Sequence, residues 1–270
     1  MTGRRPPLLM GVVNVTPDSF SDGGAFLDPA HAIDHALALV DDGAAIVDIG
    51  GESTRPGSDT VDEATELSRV LPVIRGLATQ TAAAISIDTR KPAVARAAID
   101  AGASIWNDVS ALTYAQESLG VAAALSCRIV LMHAQGDPKT MQENPRYGDV
   151  IAEVRDFLAI RITACEAAGI ARERLILDPG VGFGKTAAHN LRLIAGLGVI
   201  GTLGRPVLLG ASRKRFIAAL DREAPAAERL GGSIAAALAG AARGAAILRV
   251  HDVAATRQAL SVHYALENER

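Results

Sequence analysis

The chain has 270 residues, of which 49% are hydrophobic, and a formal net charge of −3 at pH 7. This length and composition suit a large buried core, while the small negative charge argues against a general affinity for nucleic acid or anionic membranes. The two cysteines, Cys127 and Cys165, are too few for a disulfide framework, and the sequence has no Cys/His cluster with the spacing of a zinc site.

In chain order, the first predicted element is the apolar run 8–13, which follows Arg4 and Arg5. A basic start before an apolar run is also the pattern of a signal peptide, but this run is too short for that role and ends at Asn14. No stretch of the sequence approaches the ~18 apolar residues of a membrane span. We therefore expect a soluble cytoplasmic protein.

Seven further apolar runs rich in Val, Ile and Leu follow along the chain. They lie at 45–49, 84–88, 104–109, 128–132, 174–178, 207–209 and 246–250. Ala-rich segments with a helical period alternate with these runs, at 30–42, 61–78, 91–101, 149–169, 226–243 and 252–267. Strands without polar alternation are buried on both faces, as in a parallel sheet that helices cover. Eight such strands predict an α/β fold, a (β/α)8 TIM barrel forming one domain over residues 1–270, with a doubly wound open sheet as the alternative.

Polar side chains recur where each predicted strand ends, which is the end of a barrel that carries the active site. In chain order they are Asn14, the segment DIGGESTRPGS, the triplet Asp88, Thr89 and Arg90, the pair Asn107 and Asp108, His133, Asp178, the triplet Ser212, Arg213 and Lys214, and the group Arg249, His251 and Asp252. One acid at a strand end is often a helix cap, which is the alternative role for Asp108 and Asp252. Their recurrence at successive strand ends predicts a functional site.

The segment GVGFGKT, residues 180–186, looks at first like a phosphate-binding loop. A P-loop needs four residues between its glycine and the Gly-Lys pair, but only three separate Gly180 from Gly184, and Pro179 occupies the required glycine position. The segment also fails the GxGxxG pattern, because Lys185 stands where the last glycine belongs. We therefore do not expect nucleotide binding here.

Eight segments together resemble the signature segments of the dihydropteroate synthase family, in the same order. They are NVTPDSFSDGG, DIGGESTRPGS, IDTRK, NDVSAL, LMH, LDPGVGFGK, GASRKRF and RVHDV, and they run from about residue 8 to 253. The resemblance implies an enzyme of folate biosynthesis that joins p-aminobenzoate to 6-hydroxymethyl-7,8-dihydropterin pyrophosphate and releases pyrophosphate. It also implies Mg²⁺ as the cofactor, a homodimer, and competition by sulfonamides, which mimic p-aminobenzoate.

The family's pterin-binding positions match a group of strand-end residues. By resemblance, Asp88, Asn107, Asp178 and Lys214 bind the pterin ring, and Met132 and Phe183 form apolar walls. The chemistry agrees, since a carboxylate accepts two hydrogen bonds from the guanidine-like edge of a pterin and an amide both donates and accepts. The alternatives are a cap on the helix at 91–101 for Asp88, a turn with Pro179 for Asp178, and ordinary core packing for Met132.

The pyrophosphate requires local positive charge, because the protein as a whole is slightly negative. Arg249 and His251 are two residues apart on the last strand and therefore point the same way. Together with Lys214 they are placed after strands seven and eight, where barrels often bind phosphate. The alternative for His251 is a local hydrogen-bond partner. Asn14 is the Mg²⁺ ligand by resemblance, since this ion takes few protein oxygens and completes its shell with phosphate and water.

Two polar, glycine-containing segments, 15–24 and 51–60, are expected to be lids over the barrel mouth. By resemblance, Thr54, Arg55 and Pro56 help to build the p-aminobenzoate site, with a solvated loop as the alternative. The implied mechanism is displacement at the pterin methylene carbon, with Asp88 and Lys214 as the catalytic residues and no covalent enzyme intermediate. Two rival functions are a pterin-binding methyltransferase barrel and a non-catalytic pterin-binding relative.

Overall fold

Eight parallel strands form the centre of the computed structural model, which describes residues 6–16, 28–53, 60–136 and 140–269. The strands are β1 Leu8–Asn14, β2 Ile46–Gly50, β3 Ala84–Asp88, β4 Ile105–Asp108, β5 Arg128–Met132, β6 Leu175–Asp178, β7 Leu208–Leu209 and β8 Ile247–Val250. Their order is β6-β5-β4-β3-β2-β1-β8-β7, and a parallel bridge between Leu177 and Val207 joins the two outer strands. This nearly closed (β/α)8 barrel confirms the predicted fold over the doubly wound open sheet.

Helices connect the strands around the outside of the barrel. They are α1 Pro29–Asp41, α2 Glu63–Ala78, α3 Pro92–Asp100, α4 Ser118–Ala124, α5 Val150–Ala167, α6 Ala187–Ala195, α7 Leu197–Gly201, α8 Arg215–Ala218, α9 Leu230–Ala242 and α10 Val253–Asn268. Four helices begin where a side chain accepts a hydrogen bond from the first turn, at Asp28, Asp62, Asp149 and Thr186. The predicted helix 226–243 starts later than expected, because Ala226–Glu228 forms a separate 3₁₀ turn. No helix of the described ranges is long and apolar enough to span a bilayer.

The period-two alternation of each strand sorts its side chains between the barrel interior and the helices. The lower interior is filled by apolar side chains from seven strands: Met10, Ile46, Ile105, Val130, Ile176, Leu208 and Ile247. Outward-facing side chains such as Trp106, Val47 and Leu131 pack under the helices in the larger core. Toward the carboxyl ends the interior becomes polar, starting with the register pair Asp48 and Ser86. The barrel therefore has an apolar floor and a polar mouth.

Candidate active site

Arg249 lies between two carboxylates at the centre of the polar mouth. Its Nε donates to Asp48 Oδ2 at 2.6 Å, and its Nη2 donates to Asp88 Oδ2 at 2.8 Å. Asn107 adds a bond from Nδ2 to Asp48 Oδ2 at 3.0 Å. The predicted residues Asp88, Asn107 and Arg249 thus converge from β3, β4 and β8. Asp48 completes the group, although no role was predicted for it individually; its place as an acid within the apolar run AIVDI was a signal.

Burial and charge act against each other in this cluster. Burial raises the pKa of Asp88 to about 7, against the opposing effect of Arg249 and with a further increase from Asp48. Burial disfavours the charge of Arg249, but Asp48 and Asp88 outweigh it and raise the pKa of the guanidinium. Among the described residues, Asp48 Oδ1, Asp88 Oδ1 and Ser86 Oγ are buried without a hydrogen-bond partner. Such atoms are costly in a folded protein, which indicates that this mouth is built to accept hydrogen bonds from a bound molecule.

Asp178 lies at the end of β6 and has two roles. Its Oδ1 accepts a hydrogen bond from the Gly180 N–H at 2.7 Å, so the alternative role in a turn is real for this oxygen. Burial raises the pKa of Asp178, while the Gly180 bond and the charges of Lys214 and Arg249 oppose that rise. The residue is buried at 7% exposure, facing the same mouth as the cluster around Arg249.

Lys214 is held by the loop that follows β6. Its Nζ donates to the Val181 carbonyl at 2.5 Å and lies 4.1 Å from the centre of the Phe183 ring. A Cβ built on Gly182, where φ is +86°, would lie 2.7 Å from Lys214 Cδ, so a glycine is needed for this approach. Burial lowers the pKa of Lys214 to about 8, partly offset by Asp178. The predicted pair Phe183 and Lys214 is therefore in direct contact.

Met132 and Phe183 line the same cavity, of about 180 Å³, beside the mouth. Arg90 and Glu52 contribute its polar edge. Arg90 Nη2 donates to Glu52 Oε1 at 3.0 Å, and the Arg90 guanidinium lies 4.6 Å from the centre of the Tyr114 ring. Met132 is buried and lines this cavity, so its position agrees both with a wall of the site and with the alternative of ordinary core packing.

A buried ion-pair network under the end of β2 was not anticipated from the sequence. Lys91 Nζ contacts Glu52 Oε2 and donates to Glu66 Oε2 at 2.5 Å. Burial disfavours the charge of Lys91, but the two glutamates outweigh it and raise its pKa. Lys91 also precedes α3 with no side-chain cap bond to that helix, so Asp88 does not serve as the cap that was its alternative role.

The two other acids at strand ends are structural, and although Asp252 is the N-cap residue of α10, neither side chain makes a cap bond to a helix. Asp108 accepts bonds from the Ser110 N–H and the Leu112 N–H, at 2.7 and 2.8 Å, and so stabilises the loop before α4. Asp252 makes no cap bond to α10 and instead pairs with Arg213, whose Nε and Nη2 donate to it at 3.0 and 2.5 Å. This pair ties the loop after β7 to the end of β8.

His251 lies beside Ser212, which fits its alternative role as a local hydrogen-bond partner. Its Nδ1 is 3.1 Å from Ser212 Oγ, and its backbone N–H donates to the same oxygen at 3.3 Å. Arg249 is the neighbouring predicted anion-binding group, and in this structure it contacts Asp48 and Asp88. Because β7 pairs with β8, Lys214 after β7, Arg249 on β8 and His251 directly after β8 lie at neighbouring strand ends.

Asn14 ends β1, which pairs with β8 on one side and with β2 on the other. A Cβ built on Gly50, its register partner, would lie 3.8 Å from Asn14 Oδ1 and 3.6 Å from the Asp88 Cβ. The described residues contain no group of three or more His, Cys, Asp or Glu side chains that could hold a metal ion. The predicted residues Thr54, Arg55 and Pro56, and most of both expected lids, lie outside the described residues.

Comparison with known proteins identifies the family. Residues 10–251 match the model of the pterin binding enzyme family. The dihydropteroate synthase of Escherichia coli K12 is 48% identical over 256 residues, which cover 95% of this chain and 90% of that protein. The dihydropteroate synthase of Synechocystis is 45% identical, with 96% and 89% covered.

Two solved structures extend the similarity to the fold. The Xanthomonas albilineans dihydropteroate synthase with 4-aminobenzoic acid has a TM-score of 0.92 and 51% identity, covering 97% of this chain and 93% of that one. The Burkholderia cenocepacia enzyme complexed with 7,8-dihydropteroate has a TM-score of 0.88 and 42% identity, covering 97% and 92%. These near-complete matches favour the synthase over the methyltransferase and the non-catalytic relative. The chain therefore belongs to the dihydropteroate synthase family, the transferases that condense 6-hydroxymethyl-7,8-dihydropterin pyrophosphate with p-aminobenzoate to give 7,8-dihydropteroate and pyrophosphate in folate biosynthesis.

Proposed function

We propose that the pterin binds across the barrel mouth with its guanidine-like edge on Asp178 and its ring between Met132 and Phe183. The observation that carries this proposal is the polar mouth itself, where Asp178 lies buried at the end of β6 and Asp48 Oδ1 and Asp88 Oδ1 are without a hydrogen-bond partner among the described residues, which suits a ligand rich in N–H groups. Asn107 donates to Asp48 in the structure, so its amide oxygen is turned toward a donor of the ring. Lys214 then reaches a ring nitrogen or the carbonyl oxygen.

The pyrophosphate is proposed to lie at the side of the mouth formed by Lys214, Arg249 and His251. A guanidinium has five N–H donors, and Arg249 uses two of them on Asp48 and Asp88, so it can hold these acids and a phosphate oxygen together. The lowered pKa of Lys214, about 8, leaves the ammonium form dominant at pH 7, where it stabilises the departing charge. Arg249 therefore links the pterin acids to the leaving group.

We propose Mg²⁺ as the cofactor and Asn14 as the protein ligand. Asn14 Oδ1 fits this ion because it is a hard oxygen donor on the edge of the mouth, beside Gly50, which has no side chain to obstruct the approach. The absence of a larger acidic cluster among the described residues agrees with an ion whose other ligands are phosphate oxygens and water. When bound, the ion adds positive charge where pyrophosphate departs.

The reaction forms a C–N bond between the arylamine and the methylene carbon while the C–O bond to pyrophosphate breaks. Positive charge that develops on the methylene is stabilised by Asp88, whose carboxylate pairs with Arg249. The attacking amine is neutral at pH 7, so its surplus proton leaves to solvent after the new bond forms. Asp88 and Lys214 are the proposed catalytic residues, and Thr54, Arg55 and Pro56 are proposed to bind p-aminobenzoate and its sulfonamide mimics.

The proposed homodimer has a candidate surface on the late helices. A groove of about 480 Å³ between α6, α8 and α9 is lined by apolar side chains that include Leu191, Phe216 and Ile217. Leu220 is 57% exposed at its edge, and Gly231 and Gly232 at the start of α9 also line the groove. A second copy of the chain would cover this surface. We also propose a cytoplasmic location, which the two buried free cysteines, Cys127 and Cys165, support.

The proposed reaction is tested by an assay for pyrophosphate release. Release from pterin pyrophosphate should require both p-aminobenzoate and Mg²⁺, and should yield dihydropteroate in equal amount. Release without p-aminobenzoate, at the same rate, would indicate a hydrolase and would contradict the proposed site. Light scattering at several concentrations checks the dimer, and the exposed change Leu220→Glu should favour the monomer.

A further inference from the structure

Lys185 is a buried lysine that the mechanism above does not use. It is 3% exposed, and it follows the glycine-rich loop after β6. Its Nζ lies 2.9 Å from His133 Nδ1, 3.2 Å from the His133 carbonyl oxygen and 2.9 Å from the Phe183 carbonyl oxygen. One ammonium group therefore joins the end of β5 to the loop that carries Phe183.

All the acceptors of Lys185 are uncharged. Burial, and then the charge of Lys185, lowers the pKa of His133 to about 3, so the imidazole is neutral and its Nδ1 can accept. The His133 ring is also packed edge-on against Phe157, with 4.9 Å between the ring centres, so the acceptor is held in place. Burying an ammonium group among neutral acceptors is costly, and a plain apolar side chain would fill this space more cheaply.

The loop 180–184 packs closely against the end of β5, so its position depends on the contacts that Lys185 makes with His133 and Phe183. A Cβ on Gly180, where φ is +67°, would lie 1.8 Å from the His133 carbonyl oxygen. A Cβ on Gly184, where φ is +61°, would lie 2.3 Å from the Gln135 carbonyl oxygen. The backbone of 180–184 thus lies directly on the end of β5, and Lys185 holds both sides together.

Three groups of this loop contact residues of the proposed pterin site. The Gly180 N–H donates to Asp178, the Val181 carbonyl accepts from Lys214, and the Phe183 ring lies against the same lysine. Charge provides a second link. Burial lowers the pKa of Lys185 to about 7, and Asp178 opposes that decrease, so the lysine in turn favours the ionised form of Asp178.

We propose that Lys185 is a positioning residue for pterin recognition, which fixes the 180–184 loop and supplies positive charge behind the Asp178 carboxylate. This inference rests on the proposed contact between Asp178 and the pterin. Asp178 accepts two N–H groups only when it is ionised, so charge that favours ionisation also favours binding. The inference adds a residue that need not touch the substrate.

The charged groups that surround Asp178 determine how the effect depends on pH. Lys214 after β7, Arg249 on β8 and Lys185 after β6 all favour its ionised form. Across the mouth, Asp48 on β2 and Asp88 on β3 add negative charge, while His133 on β5 stays neutral. Lys185 loses its own charge as the pH rises above about 7. Its contribution should therefore be present below pH 7 and fade above pH 8.

The experiment is titration calorimetry with the plain pterin alcohol between pH 5.5 and 8.5. We expect Lys185→Met to raise the dissociation constant about tenfold below pH 7, because the variant no longer supplies positive charge that favours the ionised form of Asp178. Above pH 8 the difference from the wild type should be smaller, leaving the part due to loop position. Lys185→Arg keeps the positive charge over the whole pH range, so it should behave like the wild type below pH 7 and should not lose the charge contribution above pH 8, even if its absolute affinity is lower. Lys185→Gln replaces the methionine variant if that protein does not fold.

Thr186→Ala is the matched control at the next position. Thr186 Oγ accepts from the His189 N–H at 3.2 Å as the N-cap of α6, so this variant weakens the same junction without a change of charge. It should lower the melting temperature and leave the pH dependence of pterin binding unchanged. If Lys185→Met shows only that behaviour, Lys185 is structural and the inference is wrong.

Asp178→Asn separates this inference from the proposed function. If it loses pterin affinity while Lys185→Met does not, the pterin site stands and the role of Lys185 is refuted. If neither variant loses affinity, the proposed contact between Asp178 and the pterin is itself wrong. The inference is supported if both Asp178→Asn and Lys185→Met lose pterin affinity, and if Lys185→Arg does not show the loss that Lys185→Met shows below pH 7.

Discussion

Arg249 Nη2 donates to Asp88 Oδ2 at 2.8 Å, which joins β8 to β3 across the mouth of the barrel. Asp88 is buried and Arg249 is half-buried, and the same guanidinium also contacts Asp48, so two acids share one cation. Burial and the neighbouring Asp48 outweigh Arg249 and raise the pKa of Asp88 to about 7 from its ordinary 3.8. Folding therefore disfavours the ionised form of the Asp88 carboxylate.

We predict that Asp88→Asn is more stable than the wild type above pH 7 and much less active. Between about pH 4 and 7 the native protein retains a proton on Asp88 that the unfolded chain has released, so wild-type stability falls as the pH rises through this window. The amide of Asp88→Asn does not titrate, so the variant does not lose stability in this window. We expect its free energy of unfolding at pH 8 to exceed that of the wild type by at least about 1 kcal/mol. Urea unfolding at pH 5 and pH 8 measures it. An equal pH dependence of the free energy of unfolding in both proteins would contradict the prediction. The activity of the variant should fall by about 10²-fold.

Asp178→Asn should reduce pterin affinity by about 10- to 100-fold, because it removes charge-assisted hydrogen bonds worth about 1.5–3 kcal/mol. The side chain keeps its shape, so the melting temperature should change little. Calorimetry with the plain pterin alcohol measures the affinity. Asp100→Asn, at the exposed end of α3, is the matched control and should bind as the wild type does. An unchanged dissociation constant for Asp178→Asn would remove this residue from the pterin site.

Asn14→Ala tests the proposed metal ligand. The variant should weaken Mg²⁺-dependent binding of pyrophosphate by about tenfold, since one of few protein ligands is lost. Binding of the plain pterin alcohol should remain nearly intact, because that ligand has no phosphate for the ion to join. The two titrations are compared on the same protein. Equal loss for both ligands would show that Asn14 supports the end of β1 instead of the metal.

The order of substrate binding is a fourth prediction. If Thr54 and Arg55 complete the p-aminobenzoate pocket only after pyrophosphate is bound, p-aminobenzoate should show no measurable binding to the free protein. It should bind clearly once Mg²⁺ and pyrophosphate are present, and the coupling must be reciprocal. Calorimetry with and without Mg²⁺-pyrophosphate makes the comparison, and a sulfonamide should compete in the second case. Equal affinity in both titrations would mean that the pocket is formed in advance.

Much of the barrel could be predicted because its signals are local. Apolar runs of strand length, separated by segments of helical period, predicted strands at 84–88 and 128–132 with the bounds that the structure has. Strand β7 was predicted at 207–209, but only Leu208 and Leu209 pair as a strand, and neighbouring Val207 forms an isolated bridge. The extent of β7 depends on its hydrogen bonds to neighbouring strands, and a local sequence pattern does not show those bonds.

The site was predicted where a functional side chain ends its own strand. Asp88, Asn107 and Asp178 stand at such ends, and parallel strands bring those ends together whatever the exact register. The capping role considered for Asp108 was wrong, and Asp252 stands at the N-cap position of α10 without a side-chain cap bond. The two carboxylates instead contact the N–H groups of the next loop and the Arg213 guanidinium. The local sequence shows that an acid at a strand end requires a hydrogen-bond or ion-pair partner, but it does not show which residue provides it.

The sequence by itself determined the order of strands and helices, and so determined which end of the barrel would be polar. Only the tertiary structure decided the electrostatics of that end. Asp48 meets Arg249 across 201 positions of the chain, and Lys185 meets His133 across 52. The cost of burying each of these charges, and hence its pKa, depends on the distance to its counter-charge and on the loss of water around it. Both quantities arise only when the barrel closes.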